Sequence, residues 1–495
     1  MNRVAQIGFG LVITIAALGA GYVLVVSDPA NVDPLLGILL IASLYLVFHI
    51  NLVGRNLVFA ALSFSVAWLF LCQSPLYPQY FTVLYWGRWV VLGGLLCMCF
   101  IAGLHAGRRV RLRFIVLFPF LMGAYFYLTM LWSVKPDLTV ERSGSVVLLA
   151  AAVIGVIWYA GSSISSLEQV IKAVLLPISL LFWILTAIYG FDLSYIERGQ
   201  LRSPGPMLNP NGIGVLGAFL APVAYYLWQT TRPRSTFWLG SLLTCVLMVL
   251  LSGTRGALAA ILLAFTLMSL TRRRSFSMGI FVSGALASIG FVAVDIYGLP
   301  QIVHSYLRTE SLVTGSGRAE AWAAAVELLR ERPWIGYGFG TEELLFDRFG
   351  IRFFEHSGAY VHNSYLGLSL QIGLLGAAIF FYPLIFVALK GVRASMKSKE
   401  DFMLSSLVGT LIAGLVICFT ESWIYSAGNA QSLPFWTLFG ILVRLLIGPR
   451  LTAAQASSRM RSSQVRKWAV PEGHPLHRRS REEKSRHPLS MEERH

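Results

Sequence analysis

The chain has 495 residues, of which 56% are hydrophobic and only 13% are charged, and its formal net charge at pH 7 is +16. A soluble domain carries roughly a quarter charged residues, so this composition excludes an ordinary soluble globular protein. The excess of Lys and Arg lies in short loops and in the C-terminal tail, which favours membrane anchoring over a nucleic-acid-binding surface.

Apolar runs of about 20 residues follow one another along most of the chain, and each is long enough to cross a bilayer as a helix. The candidate spans are residues 5–26, 34–50, 56–72, 83–105, 112–132, 143–161, 169–190, 211–230, 236–252, 256–271, 276–296, 365–392, 403–421 and 432–447. The predicted fold is all-α, a polytopic integral membrane protein with about 12–14 transmembrane helices.

The five cysteines all fall inside or at the edges of these apolar runs. They are Cys72, Cys97, Cys99, Cys245 and Cys418. Because they lie apart from carboxylate ligands, we interpret all five as small core residues and not as disulfide partners or metal ligands.

Clusters of basic residues predict the orientation of the spans. They follow the fourth, eighth, tenth and twelfth spans and fill the tail, at residues 108–113, 232–234, 272–274, 390–399 and beyond 450. With alternating spans these clusters share one side, which the positive-inside rule assigns to the cytoplasm, together with both termini. The first apolar run is followed by no A-x-A-like cleavage site, so we expect it to be retained as a span.

The chain divides into three parts. Residues 1–190 form N-terminal transmembrane helices, 191–448 contain the candidate site, and 449–495 form a basic tail. The tail has too little apolar content for a core, so we expect disorder there, with Lys and Arg contacting anionic membrane lipids.

A long outer loop is predicted between residues 299 and 361. Within it, residues 317–332 predict an amphipathic helix that presents Trp322, Val326 and Leu329 on one face and ends at Pro333. A glycine-rich turn with aromatic residues follows at 334–340, which we interpret as an interfacial or sugar-facing surface.

Two arginines on the outer side are candidate anion ligands. Arg255 lies in a short turn between two apolar runs, flanked by Gly253 and Gly256, where a planar guanidinium suits phosphate oxygens. Arg202 precedes a predicted helix start at Asn211, and a helix N-terminus beside an arginine is a natural anion site. The simpler alternatives are a snorkelling Arg255 and a solvated Arg202.

His362 lies where the outer loop enters an apolar helix. A histidine is neutral near pH 7 and can accept a proton, although an interfacial or capping role is the alternative. Asn363 can cap the following helix, and Gly373 and Gly376 are interpreted as close-packing positions. Arg318 opens the amphipathic helix, where an ordinary exposed charge is the simpler reading. The sequence contains no recognisable metal-binding motif, so we expect no metal and no cofactor.

Four segments resemble the O-antigen ligase and surface-polysaccharide polymerase superfamily. HNSYLGLSLQIGLLG (362–376) resembles its H-N-x9-G-x-x-G signature, and LSGTRGALAA (251–260) resembles its S-x-x-R-G-A segment. Residues 315–340 resemble its G-R-x-x-x-W and R-P-x-x-G-x-G elements, and RSPGPMLNPNG (202–212) resembles the stretch ending in N-P-N. They occur in the family's order.

The resemblance implies a GT-C-like membrane glycosyltransferase of the bacterial inner membrane. It would transfer a glycan from undecaprenyl diphosphate, on the periplasmic face and with inversion, to a glycan or lipid A core acceptor, or to a protein. His362, Arg255 and Arg202 match the family's histidine and arginines and would be catalytic. Arg318, Asn363, Trp322, Trp334 and Tyr337 would bind substrate.

Two choices remain between functions. Similarity of Glu421-Ser422 and of residues 432–436 to exopolysaccharide polymerases favours polymerisation over ligation. A transporter of a small anion or glycan is the alternative to an enzyme. A carrier usually places ionisable residues near the membrane midplane, whereas these candidates map to one membrane edge, so we favour the enzyme.

Overall fold

The computed structural model describes residues 56–107, 114–190, 203, 205–231, 235–271, 318–353, 360–398 and 401–448. Over these ranges the chain forms helices and no strand. They are α1 (Leu57–Leu71), α2 (Leu76–Gln79), α3 (Phe81–His105), α4 (Phe114–Leu128, extended by a 3-10 turn Thr129–Leu131), α5 (Pro136–Ala160), α6 (Ile164–Tyr189), α7 (Pro210–Thr230), α8 (Thr236–Ser252), α9 (Arg255–Thr271), α10 (Arg318–Glu331), α11 (Glu342–Arg348), α12 (Ser364–Lys397), α13 (Phe402–Ile417) and α14 (Ser432–Ile447).

A helix occupies each predicted span that lies within the described residues, with differences in bounds and one internal turn. Five of them, α3, α5, α6, α7 and α12, are long and apolar enough to cross a membrane, and six shorter apolar segments accompany them. The all-α, polytopic membrane fold is therefore confirmed. The predicted spans 5–26, 34–50 and 276–296 and the tail lie outside the described residues.

The largest difference at a helix start is in α5, which begins at Pro136 and not at 143. Proline suits the first helical position, because its missing N–H has no helical acceptor there and its φ is already helical. Asp137 in the first turn adds a favourable interaction with the helix dipole.

Helix α7 lies at the centre of the bundle. Every residue from Ile213 to Leu227 is buried. Neighbouring helices approach it closely. The Thr410 hydroxyl of α13 donates to the Phe219 carbonyl at 2.8 Å, and a Cβ on Gly217 would lie 2.4 Å from the Cys245 carbonyl oxygen of α8. A helix that is apolar on all faces must be surrounded by other helices.

Helix α3 instead presents an apolar face outwards. Trp86, Val90, Phe100 and Ile101 are exposed along it, as expected of a surface against lipid. Cys97 lies on this stripe, four residues before Ile101, and is exposed. The prediction that all five cysteines are core residues is therefore wrong for Cys97 and correct for the four buried ones.

Helix α12 folds back on itself at Gly373, whose φ of 75° and ψ of 166° are not helical. A straight helix would separate Tyr365 from Phe381 by about 24 Å, yet their ring centroids lie 4.5 Å apart. Residues 364–372 thus lie beside residues 374–397, which are long enough to cross a bilayer alone. The predicted span 365–392 contains a turn that its hydropathy does not reveal.

Residues 333–338 fill this turn with their backbone. The amides of Tyr337 and Gly338 donate to the carbonyls of Leu370 and Gln371, both at 2.9 Å, and the Leu374 amide donates to the Pro333 carbonyl at 2.7 Å. Backbone groups released by the break are therefore satisfied by residues 333–338. Gly376 is a close-packing position, because a Cβ there would lie 2.8 Å from the Tyr125 ring.

Replacing Gly373 by alanine is expected to lower the free energy of unfolding by roughly 2 kcal/mol or more. A Cβ at this position would lie 2.0 Å from the Trp334 carbonyl oxygen, in addition to the strain of the positive φ. Thermal unfolding of the purified protein in detergent measures the change. Gly93→Ala is the matched control, because a Cβ there meets nothing within 4 Å. Equal melting temperatures for the two variants would contradict this account.

Helix α10 confirms the predicted amphipathic helix but not its predicted face. Its buried stripe is Ala321, Ala325 and Leu328, whereas Val326 is exposed. The spacing is the predicted one shifted by one residue. Small alanines let α10 approach α12 closely, while Trp322 and Leu329 are only partly buried beside the stripe.

Candidate active site

The candidate site forms where the ends of four elements meet. They are the start of α9 at Arg255, the start of α10 at Arg318, His362 just before α12, and Glu421 just after α13. Helix α9 packs directly on this last segment, since a Cβ on Gly256 would lie 2.2 Å from the Thr420 hydroxyl oxygen.

Glu421 connects a histidine and an arginine. Its Oε1 accepts from Arg318 Nη2 at 2.6 Å, and its Oε2 lies 3.3 Å from His362 Nδ1. Only 8% of the Glu421 side chain is exposed, and a buried carboxylate needs such partners. A neutral imidazole that donates from Nδ1 to this carboxylate has its lone pair on Nε2.

The backbone at His362 is held in an uncommon conformation. Among the described residues it is the non-glycine residue with a positive φ, 53°. Such a conformation costs about 1–3 kcal/mol and persists where the surroundings fix it. The Val361 carbonyl accepts from the Trp322 indole N–H at 2.9 Å, and the Asn363 amide donates to the Ser422 hydroxyl at 3.2 Å.

Asn363 and Ser364 hold the start of α12. The Asn363 side-chain oxygen accepts from the amides of Tyr365 and Leu366, both at 3.0 Å, as an N-cap does. The Ser364 hydroxyl donates to the Glu421 carbonyl at 2.6 Å. The capping alternative for Asn363 is thus what the structure shows, while its contact with substrate stays a prediction.

Arg255 is half-buried and close to Arg318. The two guanidinium groups repel each other electrostatically. The turn before Arg255 rests on the start of α7, because the Thr254 hydroxyl donates to Asn211 Oδ1 at 3.2 Å. The structure therefore brings Arg255, Arg318, Glu421 and His362 into one region. Arg202 lies outside the described residues and stays a prediction from the sequence.

The three aromatic residues predicted to face a sugar occupy different environments. Trp334 is 67% exposed, whereas Trp322 is half-buried and braces Val361 through its indole N–H. Tyr337 is 1% exposed, and its hydroxyl donates to the Leu328 carbonyl at 2.9 Å. Tyr337 therefore packs against α10 and is not exposed to a sugar, which corrects its predicted place.

Two acidic residues of this region were not predicted as site residues. Glu421 was noted only for its resemblance to polymerases, although an acid at the end of an apolar run was a usable signal. Glu342 is 3% exposed, and burial raises its pKa, against the lowering effect of hydrogen bonds from Tyr425, Ser422 and Val361. Both carboxylates contact residues that are distant in the sequence: Glu421 contacts Arg318 and His362, and Glu342 contacts Val361 and Gln371.

Comparison with known protein families gives one match, which covers part of the candidate site. Residues 240–381 match the O-antigen ligase family, and this stretch contains Arg255, Arg318 and His362. The curated proteins include no match to the chain. Residues 240–381 are thus similar to the O-antigen ligase family, and they lie within an all-helical, multi-pass membrane fold.

Proposed function

We propose that the chain is a glycosyltransferase of the bacterial inner membrane that takes a glycan from undecaprenyl diphosphate on the periplasmic face. Both termini are then cytoplasmic. The observation that supports this most strongly is the carboxylate-linked pair of His362 and Arg318, with Arg255 beside it, at the starts of α12, α10 and α9. A base next to several cations suits transfer from a lipid diphosphate.

In this proposal His362 is the general base. Its Nε2 takes the proton of the acceptor hydroxyl. Glu421 accepts a hydrogen bond from Nδ1–H and stabilises the imidazolium that forms. The acceptor oxygen bonds to the anomeric carbon as the bond from that carbon to the diphosphate oxygen breaks. Attack opposite the leaving group inverts the anomeric configuration.

The arginines stabilise the departing diphosphate. Arg255 supplies positive charge where the leaving group accumulates negative charge, and Arg202 is proposed to join it. Since guanidinium groups can provide this stabilisation, the reaction as proposed requires no metal. Trp334 offers an exposed ring to the glycan, and Arg318 contacts substrate from its place beside Glu421.

The acceptor decides between polymerisation and ligation. We favour a second lipid-linked glycan repeat as acceptor, and lipid A core is the alternative. Each would present a sugar hydroxyl to His362, so the same four described residues serve either reaction. Purified protein given donor and each acceptor separately would identify the product.

The alternative function, a transporter, can be tested by reconstituting the protein in proteoliposomes. Arg255, Arg318, His362 and Glu421 lie at helix ends and not within helix centres, which favours an interfacial reaction. Proteoliposomes with labelled donor should show covalent transfer of label to the acceptor without accumulation of free solute inside. Uptake of a small anion or glycan without covalent transfer would reverse this conclusion.

Replacing Arg255 by alanine is expected to lower the transfer rate by about 10²-fold or more, because the leaving diphosphate loses a charge-assisted contact. Arg255→Lys should retain part of the rate, since lysine keeps the charge without the planar fork. Donor-dependent initial rates measure both. Arg330→Ala is the control, because Arg330 is exposed and pairs with Glu327. Equal rates for the two alanine variants would exclude Arg255 from the site.

A further inference from the structure

We propose that Glu342 is a positioning residue that fixes the backbone on both sides of His362. This inference rests on the proposed function. Glu342 interacts electrostatically with His362, and its hydrogen bonds reach the residues before and after it, directly or through Ser422.

One carboxylate oxygen reaches both neighbours of His362. Glu342 Oε1 accepts from the Val361 amide at 2.9 Å and from the Ser422 hydroxyl at 2.7 Å. That same Ser422 hydroxyl accepts from the Asn363 amide at 3.2 Å. The peptide groups before and after His362 are therefore tied to a single atom, directly on one side and through Ser422 on the other.

The second oxygen anchors the carboxylate itself. Glu342 Oε2 accepts from Gln371 Nε2 at 3.3 Å and from the Tyr425 hydroxyl. The donors thus come from α12 and from the chain after α13, the two segments that also carry His362 and Glu421. A carboxylate held from both sides can set the position of one relative to the other.

Packing alone does not require a carboxylate here. The outer loop is already held by an apolar cluster that includes Leu345, Phe346 and Val361 and by its backbone bonds to the turn at Gly373. Burying a carboxylate carries a desolvation penalty that its hydrogen-bond partners must offset. The Glu342 carboxylate instead maintains the strained backbone of His362, whose φ is 53°. In this conformation His362 Nδ1 lies 3.3 Å from Glu421 Oε2.

Ser422 gives the cleanest test, because it links Glu342 to Asn363 with little buried volume. Ser422→Ala is expected to lower kcat by about 10-fold with the KM for donor unchanged within about twofold, since a small misplacement of a catalytic group slows chemistry more than binding. Ser422→Thr retains the hydroxyl and should restore most of kcat. A purely structural role would lower the amount of folded protein instead and leave kcat per folded molecule unchanged.

Glu342→Gln should lower kcat by about 10- to 100-fold, because an amide cannot accept from all four donors. Glu343→Gln is the matched control, since Glu343 is the next residue and pairs with Arg142 and Tyr360. Wild-type kcat in folded Glu342→Gln, or in Ser422→Ala if Glu342→Gln does not fold, would overturn this inference alone. Absence of transfer by the wild-type protein would overturn the proposed function with it.

Discussion

Replacing His362 by alanine should lower the rate of glycan transfer by about 10²- to 10⁴-fold, the contribution of a general base. His362→Asn should fail equally, although asparagine tolerates the left-handed backbone conformation better and preserves the local fold. Initial rates per folded molecule, with donor and acceptor saturating, measure the effect.

The control for this experiment is His105→Ala. His105 is the last residue of α3 and is exposed, so its loss should leave transfer unchanged. If either His362 variant transferred glycan at the wild-type rate while folded, His362 would not be the base, and the assignment of the site would fail.

Replacing Glu421 by glutamine is expected to lower transfer by about 10²-fold or more. The amide can donate a hydrogen bond to His362 Nδ1, which would favour the tautomer with the ring proton on Nε2 and so remove the lone pair that takes the proton of the acceptor hydroxyl. The change also leaves Arg318 without its carboxylate partner. The measurement is kcat, because the defect lies in the chemical step.

Glu421→Asp keeps the charge and should retain more activity than Glu421→Gln. Glu327→Gln serves as control, since the Glu327 carboxylate is largely exposed and pairs only with the neighbouring Arg330 in the described contacts. Equal kcat for Glu421→Gln and Glu327→Gln would show that Glu421 does not orient His362.

Hydropathy predicted the helices well because burial in a bilayer requires long apolar runs, and these are visible locally. It did not predict the turn at Gly373, because residues on both sides of this glycine are equally apolar. The turn depends on residues 333–338 filling it, which is a contact between segments and not a property of either one.

Part of the candidate site was also predictable, because some of its residues stand out against the local apolar sequence. His362 and Arg255 lie at junctions between loops and apolar helices, where an ionisable residue is visible against its surroundings. Glu421 was missed because its partners are distant in the sequence. It contacts Arg318, 103 residues earlier, and His362, 59 residues earlier. No local pattern records such pairings, and none distinguished the buried Tyr337 from the exposed Trp334.

The most direct test of the whole account is the fate of the lipid carrier. Purified protein in lipid nanodiscs would receive an undecaprenyl diphosphate-linked labelled glycan, an acceptor and a metal chelator. We predict that label joins the acceptor while free undecaprenyl diphosphate appears in equal amount, and that His362→Ala produces neither. Transfer that depends on a nucleotide sugar, or label on the acceptor without release of the lipid diphosphate, would contradict the account.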